Sequence, residues 1–206
     1  MSRQGVSPNF CLNPSSPPMA KLPADIDQIA WYPMRIAYQQ WGKVKNRLDK
    51  SGVHNFLPME CKLIERTTGQ RRYENIPKIS SMIFIQDSYH HIYEMKRSEE
   101  DLQPLRFYTR HFANDPTQRE IFAIPDKQMD DFMRMANSDD ERVVYLEETD
   151  YLRAEGQRVR IAEGEFAGVE GVIKRIQGNK CVVIRIEGIA AIGWLRVDVG
   201  RRLILL

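Results

Sequence analysis

The sequence predicts an α+β fold: helices layered on a mainly antiparallel sheet, followed by a small all-β barrel. Three observations carry this. Between residues 29 and 137, strand-like and amphipathic helical runs follow one another in the order β-α-β-β-(α)-β-β-α. Residues 138–154 then turn acidic, through Asp139, Asp140, Glu141, Glu147, Glu148 and Asp150. Finally, Gly156 to Gly171, GQRVRIAEGEFAGVEG, compresses a strand, a glycine-bracketed turn and the start of a second strand.

Residues 1–28 are polar and proline-rich without apolar periodicity, and read as a disordered tail, with order beginning near Ile29. Trp31 to Ala37 is strand-like, and Pro33 suggests that its first part lies at a sheet edge or bulge. A helix follows over about Gln40 to Lys50. Trp41, Val44 and Leu48 share one face, and Lys43, Lys45, Arg47 and Lys50 cover the others. Ser51-Gly52 stops it.

Short strands are expected at Asn55 to Leu57 and Glu60 to Arg66, the second leading to a polar turn at Thr67 to Gln70 that reads as a hairpin or a loop. Met82 to Ile85 is continuously apolar, as a buried central strand should be. A weak helix covers Tyr89 to Lys96. Leu105 to Thr109 and Glu120 to Ile124 read as a hairpin around a polar loop, Arg110 to Arg119. A last helix has Pro125 in its first turn, Asp126 and Asp130 near its positive end, and Met129, Phe132, Met133 and Ala136 on one face. Residues 138–154 read as an acidic linker with a short strand at Val143 to Tyr145.

Within residues 155–206, Val159 and Ile161 alternate with Arg158 and Arg160, the pattern of a half-buried strand. Gly164, Gly168 and Gly171 mark positive φ or close backbone approach. Lys180 to Ile186 and Ile189 to Val197 supply further strands. So many short strands suggest a tiny barrel, which points to binding rather than chemistry.

Composition narrows the function classes. The 206 residues are 42% apolar with a net charge of +2, so any nucleic-acid contact must come from local patches. No apolar run approaches a membrane span and no signal pattern opens the chain, so a cytoplasmic protein is expected, and it is taken as a monomer. Cys11, Cys61 and Cys181 are odd in number, far apart and outside any CxxC, which favours free thiols over a disulfide or metal site. No nucleophile-base grouping or phosphate loop occurs, so neither an enzyme nor a cofactor is expected.

Trp31-Tyr32, Phe56-Leu57-Pro58 and Gly156 to Gly171, in this order, resemble the NusG family of transcription elongation factors. The resemblance implies a NusG-type α/β sandwich with an antiparallel sheet over 29–137, then a KOW domain, a small SH3-like barrel, over 155–206. Ile124 to Met133, Val169 to Val172 and Ile184 to Ile192 look most like the specialised UpxY-type antiterminators of Bacteroidota, which serve long operons for capsular and other surface polysaccharides. Ser80-Ser81-Met82 stands where housekeeping members carry Pro-Gly-Tyr, and Gly188-Ile189-Ala190 where they carry Phe-Gly-Arg. The second departure puts partnership with Rho and with a ribosomal protein in doubt.

The family comparison implies three surfaces. Trp31, Tyr32, Pro58, Phe84, Phe107 and Tyr108 are candidates for gripping the clamp helices of RNA polymerase, although aromatic residues in apolar runs also make cores. Tyr38, Gln39, Gln40, Lys43, Lys45 and Arg47 match the region that meets non-template DNA, with nascent leader RNA as the alternative; an ordinary solvated helix face, with Trp41 in the core, is the plainer reading. Ser88, His90 and His91 match the motif that touches the polymerase gate loop; a His-His pair without a third ligand is no metal site. In the barrel, Phe166 is either a plug or a partner contact, and Ile189 is a second partner candidate. A general NusG-like factor coupled to Rho or the ribosome, and a ribosome-associated KOW protein binding RNA, are the competing readings.

Overall fold

A computed structural model describes residues 20–65, 69–79, 81–112, 115–146, 156–176, 178–186, 189–195 and 203–206. Across them the chain is α+β, with mainly antiparallel sheets. The first part runs β1 (Ile29–Ile36), α1 (Trp41–Lys50), β2 (His54–Phe56), β3 (Met59–Glu65), β4 (Arg71–Pro77), β5 (Met82–Ser88), α2 (Tyr89–Ser98), β6 (Leu105–Phe107), β7 (Thr109–Phe112), β8 (Asp115–Ile121) and α3 (Asp126–Ala136). Four strands form one sheet in the order β2-β5-β1-β6, while β3-β4 and β7-β8 are two-stranded ribbons. The apolar run Met82 to Ile85 therefore sits on an inner strand, between β2 and β1.

Strand alternation divides this sheet into two buried faces. Tyr32, Met34, Ile36, Ile83 and Ile85 pack with Val44 and Leu48 of α1 and Ile92 and Met95 of α2. Trp31 and Phe84 point the other way and pack with Met129, Phe132 and Met135 of α3.

Pro33 is not at an edge but on β1, an inner strand, opposite Phe84. The ladder tolerates it because its missing N–H falls where the outer neighbour changes. Tyr108 N–H donates to the Pro33 carbonyl at 3.0 Å, and the Tyr108 carbonyl accepts instead from Phe122 N–H at 3.3 Å.

Three other expectations are corrected and one alternative is decided. Order starts before Ile29: Lys21 N–H donates to the Arg119 carbonyl at 2.7 Å and its carbonyl accepts from Ile121 N–H, while residues 1–19 lie outside the described residues. The polar stretch 110–119 is largely strand, because β7 and β8 pair from Thr109↔Ile121 to Phe112↔Asp115. Of the hairpin and loop alternatives after β3, the hairpin holds: β4 pairs with β3 across the turn, of which residues 66–68 are outside the described set. And α3 buries Asp131 and Met135 as well as Met129 and Phe132, because it lies between two layers.

The second layer comprises β9 (Val143–Leu146), β10 (Arg158–Ile161), β11 (Glu170–Ile176), β12 (Asn179–Ile186), β13 (Ala190–Leu195) and β14 (Leu203–Leu205). They form one sheet in the order β14-β10-β11-β12-β13-β9, so the acidic stretch contributes an edge strand rather than only a connection. Among the described residues nothing pairs β14 with β9, and the expected barrel is seen only as an open six-stranded sheet. Gly164 and Gly168 hold positive φ, 90° and 85°. Gly171 is required by close approach instead: a Cβ there would lie 2.7 Å from both Val182 Cγ1 and the Val183 carbonyl oxygen. Val159, Phe166, Val182, Ile184 and Trp194 share one core cluster with α3, so the two layers are packed together through that helix.

Candidate nucleic-acid and partner interfaces

The path from β1 into α1 is a tight reversal built without glycine. Ala37 N–H donates to the Pro104 carbonyl, and the next two residues, Tyr38 and Gln39, both take left-handed backbone at φ 59° and 55°. An L-residue there costs about 1–2 kcal/mol. The reversal leaves the Tyr38 side chain 84% exposed at the head of α1. Behind it Trp41 is half-buried against the core, and Val44 and Leu48 anchor the helix. Lys43 is exposed. Lys45 is held by Asp49 at 2.6 Å, and Arg47 makes a two-pronged pair with Glu99 that lowers the Glu99 pKa. Tyr38, Gln39 and Lys43 are thus presented outward, while Lys45 and Arg47 already have carboxylate partners.

The six aromatic and proline candidates do not share one surface. Trp31 and Phe84 are buried beneath α3, with His54 against the Trp31 ring at 4.9 Å and Phe132 against Phe84 at 5.7 Å. Tyr32 and Phe107 lie on the opposite face, 5.7 Å apart, and Tyr89 packs on Phe107 at 4.8 Å. Pro58 is buried at the start of β3. Tyr108 is half-buried at the rim of the Trp31 cluster, with Arg35 over its ring at 5.7 Å. Adjacent strand residues such as Trp31 and Tyr32 must point to opposite faces.

The histidine pair opens α2. Ser88 caps the helix, its hydroxyl accepting from His91 N–H at 3.1 Å. His91 Nδ1 lies 2.7 Å from Asp87 Oδ2, and His90 Nδ1 lies 3.1 Å from Asp27 Oδ1. Both rings remain more than half exposed.

In the C-terminal sheet, Phe166 is buried edge-on against Trp194 at 5.2 Å, the position of a plug. Ile189 is half-buried beside the same cluster, while Gly188 lies outside the described residues. A polar clasp surrounds α3, and the sequence reading did not include it. Arg134 donates to the carbonyls of Glu165 and Ala167 at 2.6 and 3.0 Å, Gln128 donates to that of Arg185 at 2.6 Å, and Lys127 donates to that of Gly168 at 3.0 Å. Buried Asp131 accepts from Lys127 and from Glu170 N–H. Its one legible signal was an aspartate within the apolar stripe of α3.

Beyond the clasp, Tyr145 of β9 packs edge-on against Phe132, and Lys78 lies over its ring at 4.7 Å. Burial raises the Tyr145 pKa, and its hydroxyl has no hydrogen-bond partner among the described residues. Cys61 is exposed and Cys181 buried, both free, and Cys11 lies outside the described residues. Among the described residues no cluster of three or more His, Cys, Asp or Glu could hold a metal, and no helix is long and apolar enough to cross a membrane. No protein-family model matches the chain, and no curated protein matches it.

Proposed function

We propose that this chain is a NusG-like transcription elongation and antitermination factor of the specialised kind, which binds RNA polymerase and promotes read-through of long operons, such as those for surface polysaccharides. The observation that carries this reading is the outward Tyr38 on strained left-handed backbone, at the head of a helix that also presents Lys43. Strain held at an exposed aromatic residue suits a contact surface better than a fold requirement. Stacking of one base on such a ring is worth about 1–3 kcal/mol, and Lys43 supplies a cation for a neighbouring phosphate.

The polymerase grip is assigned to the Trp31–Phe84 face, with half-buried Phe56 and Tyr108 at its rim. In the packed arrangement that face is covered by α3, and β9 borders it through Tyr145. Engagement therefore needs this side of the sheet to be uncovered. His90 and His91, on the far side of β5, offer polar contacts to a second polymerase element. Bridging two parts of the enzyme would hold it closed and suppress pausing.

The nucleic-acid half is tested with Tyr38→Ala and Lys43→Gln on a paused elongation scaffold. Each is expected to lose about tenfold in crosslinking to the exposed non-template strand, with unchanged thermal stability. Undiminished crosslinking in both variants contradicts the assignment.

A further inference from the structure

We propose that Arg35 and Arg106 form a clamp for the phosphates of single-stranded DNA, extending the surface that begins at Tyr38. The inference rests on the nucleic-acid reading of this end of the molecule. Its starting point is a register: β1 and β6 pair antiparallel, and Arg35 stands directly opposite Arg106. Residues so placed share one face of a sheet, with Cβ atoms about 4.5–5.5 Å apart, and like charges there are destabilising. Both side chains are exposed. The pair weakens the sheet, and an anion seated across the two guanidinium groups reverses the sign.

The contacts that hold these cations orient them without neutralising them. The Arg35 guanidinium lies over the Tyr108 ring at 5.7 Å. Arg106 donates through Nη1 to the carbonyls of Gln103 and Leu105, the latter at 2.7 Å. Lys96 lies over the Phe107 ring at 5.2 Å; burial lowers its pKa, and the Arg106 charge lowers it further. Among the described residues none of these three cations forms an ion pair, whereas Arg47 and Arg110 are spent on Glu99 and Glu120. A guanidinium fork matches the oxygens of a phosphate, and an aromatic face or a neutral carbonyl leaves its charge in place.

Position favours DNA as the source of the phosphates. Arg35 is three residues before Tyr38, a reach of at most about 11 Å. Ala37 N–H donates to the Pro104 carbonyl at 3.0 Å, which brings the approach to β6 against the turn that carries Tyr38. A base on the Tyr38 ring and phosphates on Arg35 and Arg106 then follow one strip of aromatic and cationic groups, the combination that single strands require.

The test is fluorescence polarisation of a labelled single-stranded oligothymidylate of about ten nucleotides with the full chain, between about 50 and 200 mM salt. Arg35→Gln and Arg106→Gln are each expected to weaken binding about tenfold. Each should also reduce the slope of log affinity against log salt by about 0.7, the value of one phosphate contact on a single strand. Lys62→Gln on exposed β3 removes the same charge and should leave affinity and slope unchanged. The slope separates a phosphate contact from damage to the fold, and loss of one of two opposed charges should leave Tm equal or higher. Unchanged affinity and slope in both arginine variants overturn the proposal and point to an acidic protein surface as what the pair meets. If Tyr38→Ala still weakens binding in that case, the Tyr38 contact stands. Sensitivity to the arginines with a silent Tyr38→Ala supports the clamp and overturns the Tyr38 contact instead. No saturable binding by the wild-type chain overturns both.

Discussion

At the scale of single residues, function and stability separate most clearly where a side chain occupies backbone that glycine would take more cheaply. Tyr38, Gln39 and Ser81 all hold positive φ. Ser81 turns the chain into β5, and its carbonyl accepts from Ile36 N–H at 2.8 Å. Ser81→Gly is predicted to raise stability by about 0.5–1 kcal/mol in urea denaturation, because relief of strain exceeds the extra entropy that the freer unfolded chain loses on folding. Tyr38→Gly should behave likewise while losing nucleic-acid binding, which marks the tyrosine as kept for contact. Asp140 sets a pH limit. The Arg142 guanidinium, with help from Arg142 N–H and Trp194 Nε1, lowers its pKa from 3.8 to about 2 against the opposing effect of burial. A depressed carboxylate pKa stabilises the fold above the unfolded value and loses that contribution as pH falls from about 4 towards 2. Asp140→Asn should therefore flatten the decline in Tm over that window; an unchanged acid limb would show that the Arg142–Asp140 pair contributes nothing.

At the scale of elements, alanine should act with opposite sign at two glycines. Gly171→Ala drives a methyl into Val182 and the Val183 carbonyl and is expected to cost about 1–3 kcal/mol, whereas Gly42→Ala in α1 meets nothing within 4 Å and should stabilise by about 0.5–1 kcal/mol. Equal effects at both sites in thermal melts would contradict the close packing of β11 on β12. The same packing explains what was legible in the sequence. α1 and β5 could be read because each buries a clean stripe or run against one core. β4 was read only as one side of a hairpin or loop, and Arg110 to Arg119 as a loop, because these ribbons show little alternation; Leu63 and Tyr73, paired across one ribbon, are both exposed. α3 was read with one apolar face but has two, since sheets pack on both sides of it. Tyr38 entered through the family resemblance, and neither its exposure nor its left-handed backbone was legible, because neither Tyr38 nor Gln39 is a residue that announces positive φ. The opposed directions of Trp31 and Tyr32, by contrast, follow from strand geometry alone.

At the scale of the molecule, α3 is a middle layer whose release would control access to the Trp31–Phe84 face. The weak place in this closure is Tyr145, whose buried hydroxyl lacks a partner at a cost of about 1–3 kcal/mol. Tyr145→Phe should strengthen the closure by about 1 kcal/mol and weaken polymerase binding several-fold. Lys127→Ala with Arg134→Ala removes clasp bonds to Gly168, Ala167 and Glu165 and should do the reverse, with faster hydrogen exchange at the Gly168 and Val169 amides, whose bonds fold the turn onto Ile161 and Phe166. Equal polymerase affinity in all three proteins would separate the packing from polymerase access. The central claim is tested most directly by single-round transcription by the cognate polymerase, through a terminator placed downstream of the chain's own operon leader. Read-through is predicted to rise several-fold with the wild-type chain and to fall back to background with Tyr38→Ala; identical termination with and without the protein would contradict the assignment to transcription.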